Sequence, residues 1–252
     1  MTGLPAAPDL SQLALLLDVD GTIVDIAPTP REAFVPASLR QTLERLLMLT
    51  DGALALVSGR TIADLDLMFA PLRLPAVGAH GAEIRARADG TVGRPRVQRL
   101  PDDLERQLAV IAAAGPGILL EKKPYSLAIH YRLAPDKEQM VRDAVIAICR
   151  ELAPDTAEML PGKLVLEIKA TGFDKGTGVR RLMAHPPFKH RTPLFIGDDT
   201  TDEAAVAVLG EFNGLGFSVG RAMAGATRAF ERPSEVRAWL ERLSPVDAAP
   251  AQ

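Results

Sequence analysis

The sequence predicts an α/β fold: a Rossmann-like core built on a parallel sheet, with a smaller α+β domain inserted into it. Short apolar runs alternate with helical patterns, as they do in parallel sheets whose strands are buried on both faces. Several of these runs end on carboxylate or hydroxyl side chains. Near residue 102 the order changes to helix, two strands, helix, two strands. We therefore expect a core formed by 1–100 and 171–252, and an inserted open-faced sandwich at 101–170.

The composition excludes several classes of protein. Of the 252 residues, 47% are hydrophobic and 24% are charged, which is typical of a soluble globular chain. The net charge of −3 and the 4% of aromatic residues argue against a nucleic-acid-binding surface. A single cysteine, Cys149, cannot form an internal disulfide, which indicates a reducing compartment. No apolar run reaches the ~18 residues of a membrane span, and the first residues lack a signal-peptide pattern. We expect a cytoplasmic protein that binds neither nucleic acid nor membrane. A monomer is favoured, but the sequence does not determine the oligomeric state.

The first apolar run, Leu13–Leu17, leads directly into two carboxylates. Asp18 and Asp20 are two positions apart on an extended chain, so they share a face, and Gly21 allows a sharp exit. Ligands of open α/β sheets bind at the carboxyl ends of the strands. Carboxylates this close repel each other unless a cation or a shared proton lies between them, and Mg²⁺ prefers such ligands. The alternative is a solvated turn or a helix cap.

The second predicted strand, 53–57, ends on a hydroxyl. It follows a helix that opens at Pro36 and ends near residue 52, and it is followed by Ser58. At the carboxyl end of a neighbouring parallel strand, this hydroxyl would lie beside Asp18 and could donate to a phosphate oxygen. The alternative is an ordinary turn, or an N-cap for the helix predicted at 61–69.

Residues 75–86 predict two short strands around a glycine-rich turn. The turn contains His80 between two glycines, and histidine in such a position is most often only a turn residue. The polar, Gly- and Pro-rich stretch at 87–101 predicts a β-turn followed by a linker.

The predicted inserted domain has two different sheet faces. Its helices are predicted at 102–114 and 136–152, and its strands at 118–123, 125–132, 156–160 and 164–169. Apolar side chains alternate along the strands and can pack under the helices. The opposite face carries acids, bases and hydroxyls that suit sugar hydroxyls and an anion, although a solvated sheet face is the alternative. These polar residues are Glu121, Lys123, Ser126, His130, Arg132, Lys163, Glu167 and Lys169.

A helix predicted at 175–184 begins with a cation. Asp174 is suited to be its N-cap, and Lys175 lies in the first turn, where the helix dipole disfavours positive charge. A nearby anion, namely Asp18 and a bound phosphate, would explain this lysine. The cost at an exposed site is below ~1 kcal/mol, so chance placement is the alternative.

The predicted strand 194–196 repeats the pattern of the first one. It ends on Asp198 and Asp199, and the pair Thr200–Thr201 is expected to cap a helix with Asp202 in its first turn. A capped helix with an acidic first turn explains Asp202, but it does not explain two acids directly after a buried strand.

The rest of the chain predicts a short strand at 216–220 and a connecting segment to about residue 230. A helix follows at 233–243, with Trp239 as its packing anchor. The last residues, 244–252, predict a frayed terminus.

Four motifs in this order resemble the haloacid dehalogenase superfamily of phosphotransferases. They are the sequence DVDGT at Asp18, the strand ending in Ser58, the Lys-Gly pair at Lys175 and the sequence GDDTTDE at Asp198. Within that superfamily, GAHGAE and the cap stretches EKKPYSLAIHYR and GKLVLEIK look like the trehalose-6-phosphate phosphatases. The similarity runs from about residue 13 to 220.

The resemblance implies a Mg²⁺-dependent phosphatase acting on a sugar phosphate. Asp18 would form an aspartyl-phosphate, Asp20 would carry protons, and Ser58 and Lys175 would position the phosphate. The implied metal ligands are Asp18, Asp20 through its backbone carbonyl, Asp198, and Asp199 or Asp202. The implied substrate-binding residues are Thr22, Arg60, His80, Glu121, Lys123, Ser126, His130, Lys163, Glu167 and Lys169. Closure of the cap would exclude water.

Other functions stay open at this point. A phosphatase of the same superfamily could act on sucrose phosphate or on a glucosyl- or mannosyl-phosphoglycerate. A phospho-acceptor signalling module also uses acids, a hydroxyl and a lysine, but it needs no second acid two positions after the acceptor. A mutase and a catalytically inactive relative are further alternatives. Phosphate release from a panel of sugar phosphates distinguishes them.

Overall fold

The structure is a computed structural model that describes residues 9–29, 32–93, 100–162 and 164–245. These residues form two compact units. The first contains 9–27, 33–93 and 174–245, and the second contains 28–29, 32, 100–162 and 164–173.

The described residues contain strands and helices in the alternating order that the sequence predicts. The strands are β1 (Leu13–Leu17), β2 (Leu54–Val57), β3 (Ala76–Gly78), β4 (Glu83–Arg85), β5 (Leu119–Lys122), β6 (Ser126–His130), β7 (Ala157–Gly162), β8 (Val165–Ala170), β9 (Thr192–Gly197), β10 (Leu215–Val219) and β11 (Ala226–Phe230). The helices are α1 (Ala37–Leu49), α2 (Ile62–Phe69), α3 (Asp102–Ala113), α4 (Glu138–Arg150), α5 (Lys175–Met183), α6 (Thr200–Val208) and α7 (Pro233–Leu243).

The first unit is built on a seven-stranded sheet in the order β11-β10-β9-β1-β2-β3-β4. All pairs are parallel except β3 with β4. The central strand β1 pairs with β9 and β2, and its last residue, Leu17, lies opposite both Ile196 and Leu56. The carboxyl ends of these three strands therefore meet at one edge of the sheet, where the acidic and hydroxyl residues follow.

Apolar layers cover both faces of this sheet. Helices α1, α2 and α7 contribute to one layer, and α5 and α6 contribute to the other. Trp239 of α7 is fully buried, and its ring lies 5.7 Å from that of Phe217 and 5.9 Å from that of Phe230. The prediction that Trp239 is a packing anchor is confirmed.

One strand of the first unit has no counterpart in the sequence prediction. Residues 226–230 form β11 at the edge of the sheet, where the sequence predicts only a connecting segment. Its residues alternate between half-buried and exposed until Phe230, as expected for an edge strand with one solvated side. Such a short run lacks the continuous apolar pattern that identifies the central strands.

The second unit contains an antiparallel sheet in the order β5-β6-β8-β7. Leu127, Ile129, Leu166 and Ile168 are buried in one apolar cluster with residues of α3 and α4. The predicted alternation is therefore confirmed, because an antiparallel sheet can cover one face with helices and leave polar residues on the other.

The helix caps show one correction. Asp174 accepts a hydrogen bond from the backbone N of Thr177 and caps α5, as predicted. The N-cap of α6 is Asp199, whose carboxylate accepts from the backbone N of Thr200, so the prediction of a threonine cap is wrong. A carboxylate at this position also interacts favourably with the helix dipole.

No helix in the described part of the chain combines the length and the apolar character that crossing a bilayer requires.

Candidate active site

The site begins where β1 ends. Asp18 is 4% exposed, and its Oδ2 accepts a hydrogen bond of 2.8 Å from Thr22 Oγ1. Gly21 has φ +88°, which lets the chain turn after the strand. A Cβ added to Gly21 would lie 2.2 Å from Asp198 Oδ2, so the absence of a side chain allows Asp198 to approach β1.

Lys175 lies between two carboxylates. Its Nζ is 2.7 Å from Asp18 Oδ1 and 2.6 Å from Asp202 Oδ1, and its side chain is 3% exposed. Burial by itself would lower the pKa of Lys175, but the charges of Asp18 and Asp202 outweigh it, and the pKa is raised above its usual value of 10.5. These partners explain a buried cation at the start of α5.

Asp18, Asp198 and Asp202 form an acidic cluster. Each offers an oxygen within 4.8 Å of the others, and no second group of this kind occurs in the part of the chain that the structure describes. Burial raises the pKa of Asp18 well above its usual value, the charge of Asp202 adds to this, and Lys175 opposes it. Three carboxylates face one ammonium group, which leaves an excess of negative charge. Clustered carboxylate oxygens are the ligands that Mg²⁺ prefers, so the donor set fits this ion.

The second oxygen of Asp202 fixes the loop after β9. Asp202 Oδ2 accepts from the backbone N of Asp198 at 2.9 Å and from that of Asp199 at 3.0 Å. Asp199, predicted as a possible metal ligand, uses its own carboxylate to cap α6 and lies outside the acidic cluster. Asp202 therefore connects the loop to Lys175.

Asp20 and Ser58 occupy the neighbouring strand ends. Asp20 also lies outside the acidic cluster, and both of its oxygens accept hydrogen bonds from Arg60. Ser58 is buried directly after β2, and its Oγ accepts from the backbone N of Arg60. His80 is buried in the turn between β3 and β4, and its backbone N donates to the carbonyl of Ser58.

The sequence analysis did not single out Arg221, which follows β10. Its Nε donates to the backbone carbonyl of Asp198 at 3.1 Å, and its Nη2 donates to Glu203 at 2.6 Å. The arginine thereby supports the loop that carries Asp198. A cation directly after a short apolar strand is the signal that could have identified it.

The second unit contains a separate polar network on its sheet. His130 Nε2 lies 2.8 Å from Glu121 Oε2, and Lys123 Nζ lies 3.2 Å from Glu167 Oε2. Ser126 Oγ donates to the other oxygen of Glu167. Burial would raise the pKa of Glu121, but the hydrogen bond from His130 and the charge of Lys123 outweigh it, so the pKa lies below its usual value.

Two further residues predicted to bind substrate, Lys163 and Lys169, belong to the same unit. Lys169 is 2% exposed, contacts the Glu158 carboxylate and the carbonyl of Phe173, and lies over the Phe173 ring. Lys163 lies outside the described residues.

Comparisons with known proteins identify the family. The family model described as Trehalose-phosphatase matches residues 16–234. The chain is 38% identical over 251 residues to the trehalose-6-phosphate phosphatase of Escherichia coli (strain K12), covering 96% of this chain and 90% of that protein. The chain belongs to the trehalose-phosphatase family. Members of this family are phosphoric monoester hydrolases, so the predicted enzyme class is confirmed.

Solved structures agree on the fold. The C-terminal domain of the C. albicans trehalose-6-phosphate phosphatase has a TM-score of 0.81 at 22% identity, covering 93% of this chain and 92% of that one. A phosphatase of the HAD enzyme superfamily from Bacteroides thetaiotaomicron has a TM-score of 0.60 at 17% identity, covering 96% and 99%. This member of the trehalose-phosphatase family therefore has the haloacid dehalogenase fold that its motifs predict.

Proposed function

We propose that the chain hydrolyses trehalose 6-phosphate to trehalose and phosphate, with Asp18 as the nucleophile. The observation that carries this proposal is the buried group of Asp18, Lys175, Asp198 and Asp202 at the carboxyl edge of the sheet, in a chain of the trehalose-phosphatase family. The E. coli relative is named for this activity.

In the first half of the reaction, an oxygen of Asp18 attacks phosphorus. The bond between phosphorus and the sugar oxygen breaks, and Asp20 gives its proton to that oxygen, which leaves as a sugar hydroxyl group. Ser58 and Lys175 bind the phosphoryl oxygens, while Thr22 holds the Asp18 carboxylate by its hydrogen bond of 2.8 Å. The product of this half is an aspartyl-phosphate and free sugar.

In the second half, water attacks the phosphorus of the aspartyl-phosphate. Asp20 accepts the proton of this water, the bond between phosphorus and Asp18 breaks, and inorganic phosphate leaves. Both residues then return to their starting protonation states. The same carboxyl group of Asp20 therefore serves as acid and as base.

The acidic cluster is the proposed site of Mg²⁺. The carboxylates of Asp18 and Asp198 and the backbone carbonyl of Asp20 would hold the ion, with Asp202 beside them. When bound, Mg²⁺ offsets charge on the phosphoryl oxygens. Lys175 alone does not balance three carboxylates, which is why a divalent ion suits this position.

We assign recognition of the sugar to the polar sheet face of the second unit, which would serve as the cap. Glu121, Lys123, Ser126, His130 and Glu167 present acids and donors that fit sugar hydroxyls. Lys163 and Lys169, and the first unit's His80, stay predictions as substrate ligands. Arg60, predicted as a substrate ligand, donates to both carboxylate oxygens of Asp20.

The test is phosphate release from about twenty sugar phosphates, each with and without Mg²⁺. We expect trehalose 6-phosphate to give the highest kcat/KM, and EDTA to abolish release. A clear preference for sucrose phosphate or a phosphoglycerate derivative would overturn the proposed substrate while leaving the chemistry intact.

The nucleophile has its own test. Replacing Asp18 with Asn removes the attacking oxygen anion with little change in shape, so we expect turnover to fall by at least roughly three orders of magnitude. The matched control is Asp25→Asn, because Asp25 is an exposed acid of the same unit that pairs with Arg237. Turnover of Asp18→Asn within tenfold of the control contradicts the assignment.

A further inference from the structure

We propose that Arg60 is a positioning residue that holds the Asp20 carboxylate in one orientation for proton transfer. This inference rests on the proposed function, in which Asp20 carries the protons. Arg60 acts through Asp20 and does not need to contact the phosphate.

The contact between the two side chains is two-pronged. Arg60 Nε lies 2.6 Å from Asp20 Oδ2, and Arg60 Nη2 lies 2.7 Å from Asp20 Oδ1. A planar guanidinium group that donates to both oxygens fixes the position and also the rotation of a carboxylate, whereas a single hydrogen bond leaves it free to rotate. The Asp20 side chain is 36% exposed, so protein packing alone does not fix it.

The backbone of Arg60 is fixed on both sides. Its N donates to Ser58 Oγ at 3.1 Å, and its carbonyl accepts from the backbone N of Ala79 at 2.7 Å. The next residue, His80, donates its backbone N to the carbonyl of Ser58 at 3.0 Å. The turn between β3 and β4 therefore holds the Ser58–Arg60 loop by two backbone hydrogen bonds.

This turn has an uncommon backbone conformation. Ala79 has φ +48° and His80 has φ +54°, and positive φ values are unfavourable for residues other than glycine. Such conformations are energetically unfavourable and persist where the surrounding structure requires them. In this chain the two residues aim consecutive N–H groups at the loop that carries Arg60.

The loop also packs closely against the turn. A Cβ added to Gly59 would lie 2.5 Å from His80 Nε2, so a side chain at this position would require the His80 ring to move. Arg60 thus extends from a loop whose backbone is held in place, and its side chain is 17% exposed. A backbone held in this way loses little conformational freedom when its side chain orients another group.

The competing role for Arg60 is direct binding of the phosphate. The two roles differ in a double-mutant cycle, because a residue that acts only through Asp20 has no further effect once the carboxylic acid is gone. The variants are Arg60→Ala, Arg60→Lys, Asp20→Asn and Asp20→Asn combined with Arg60→Ala. Single-turnover and steady-state rates are measured with the phosphate ester that the wild type hydrolyses fastest.

We expect Arg60→Ala to lower kcat by roughly 10- to 100-fold with KM changed by less than about threefold. Arg60→Lys keeps the charge but cannot donate to both oxygens in parallel, so it should restore only a small part of kcat. In the Asp20→Asn background, Arg60→Ala should change the rate by less than about twofold. The proposal is overturned if the fold losses of Arg60→Ala and Asp20→Asn multiply in the double variant. It is also overturned if Arg60→Ala changes only KM, or if its kcat is unchanged or higher than that of the wild type.

Two further measurements separate positioning from misfolding and from failure of the proposed function. The control Arg180→Ala removes an exposed two-pronged pair with Glu211 and should leave kcat and KM unchanged. Crystal structures of the wild type and of Arg60→Ala show the orientation of Asp20 directly, whether or not the protein is active. We expect one Asp20 rotamer in the wild type and several in the variant. An unmoved Asp20 overturns this inference, whereas a wild type that releases no phosphate overturns the proposed function.

Discussion

Lys175 is a buried cation at a helix start, a position that disfavours positive charge, and its surroundings explain it. The residue lies 157 positions from Asp18 in sequence and 27 from Asp202, yet it contacts both carboxylates. Asp202 in turn accepts from two backbone N–H groups after β9. At the scale of single residues, Lys175 is the cation that pairs with two buried carboxylates, so its removal would leave both of them buried without a positive partner.

This network predicts the effect of removing the lysine. In metal-free buffer at neutral pH, Lys175→Met should lower the free energy of unfolding by about 3–5 kcal/mol, because it leaves buried carboxylates without their cation. Urea denaturation measures the change. Lys122→Met, which removes an exposed lysine paired with Glu105, is the control and should stay within ~0.5 kcal/mol of wild type. Equal stability of the two variants would falsify the account.

At the scale of elements, an arginine of β4 joins three segments of the first unit. Arg85 is 1% exposed and donates to both oxygens of Asp66 in α2, at 2.7 and 2.6 Å. It also donates to the carbonyl of Leu74, just before β3. The short edge strand β4 is thereby tied to a helix and to a loop as well as to its neighbour in the sheet.

The same pair predicts a pH dependence of stability. The hydrogen bonds from Arg85 lower the pKa of Asp66 below its usual 3.8, although burial opposes this. When folding lowers the pKa of a carboxyl group, that group stabilises the folded state at pH values above its pKa in the unfolded chain. This stabilisation is lost as the pH falls through the pKa of the folded state. Asp66→Asn should therefore cost about 1–3 kcal/mol at pH 7, and the difference from wild type should shrink below pH 3.8.

Urea unfolding of both proteins between pH 2 and pH 7 measures this difference. The control is Asp89→Asn, because Asp89 is 81% exposed and its pair with Arg87 spans 3.4 Å. This variant should match the wild type within ~0.5 kcal/mol throughout. A difference between Asp66→Asn and wild type that stays constant with pH would rule out the carboxylate as its source.

At the scale of the whole molecule, chemistry and recognition are assigned to different units. The acidic cluster lies in the first unit, and the network of Glu121, His130, Lys123 and Glu167 lies in the second. The monomeric state and the cytoplasmic location stay predictions. The proposed division of labour has a direct consequence for substrates of different size.

Glu167→Ala should lower kcat/KM for trehalose 6-phosphate by roughly 100-fold, because it removes an acceptor for sugar hydroxyls. The same variant should change hydrolysis of a small phenyl phosphate by less than about threefold, since that ester has no hydroxyls to recognise. The control is Glu105→Ala, which removes an exposed acid of the same unit. Equal damage to both substrates would remove Glu167 from recognition.

The sequence by itself determined the secondary structure elements of both units, apart from the edge strand β11, and it identified the family. Apolar periodicity and turn residues are local properties, so the central strands and the capped start of α5 could be read from them. The rule that parallel strands end at one edge then placed Asp18 and Asp198 at the same edge of the sheet.

Only the tertiary structure decided the partners of these side chains. Asp199 caps α6 instead of joining the acids, Asp202 connects the loop to Lys175, and Arg60 holds Asp20, 40 positions away. Arg221 supports the Asp198 loop from a strand that carried no motif. A residue type says which interactions are available, but the packing of distant elements determines which of several nearby carboxylates each cation meets.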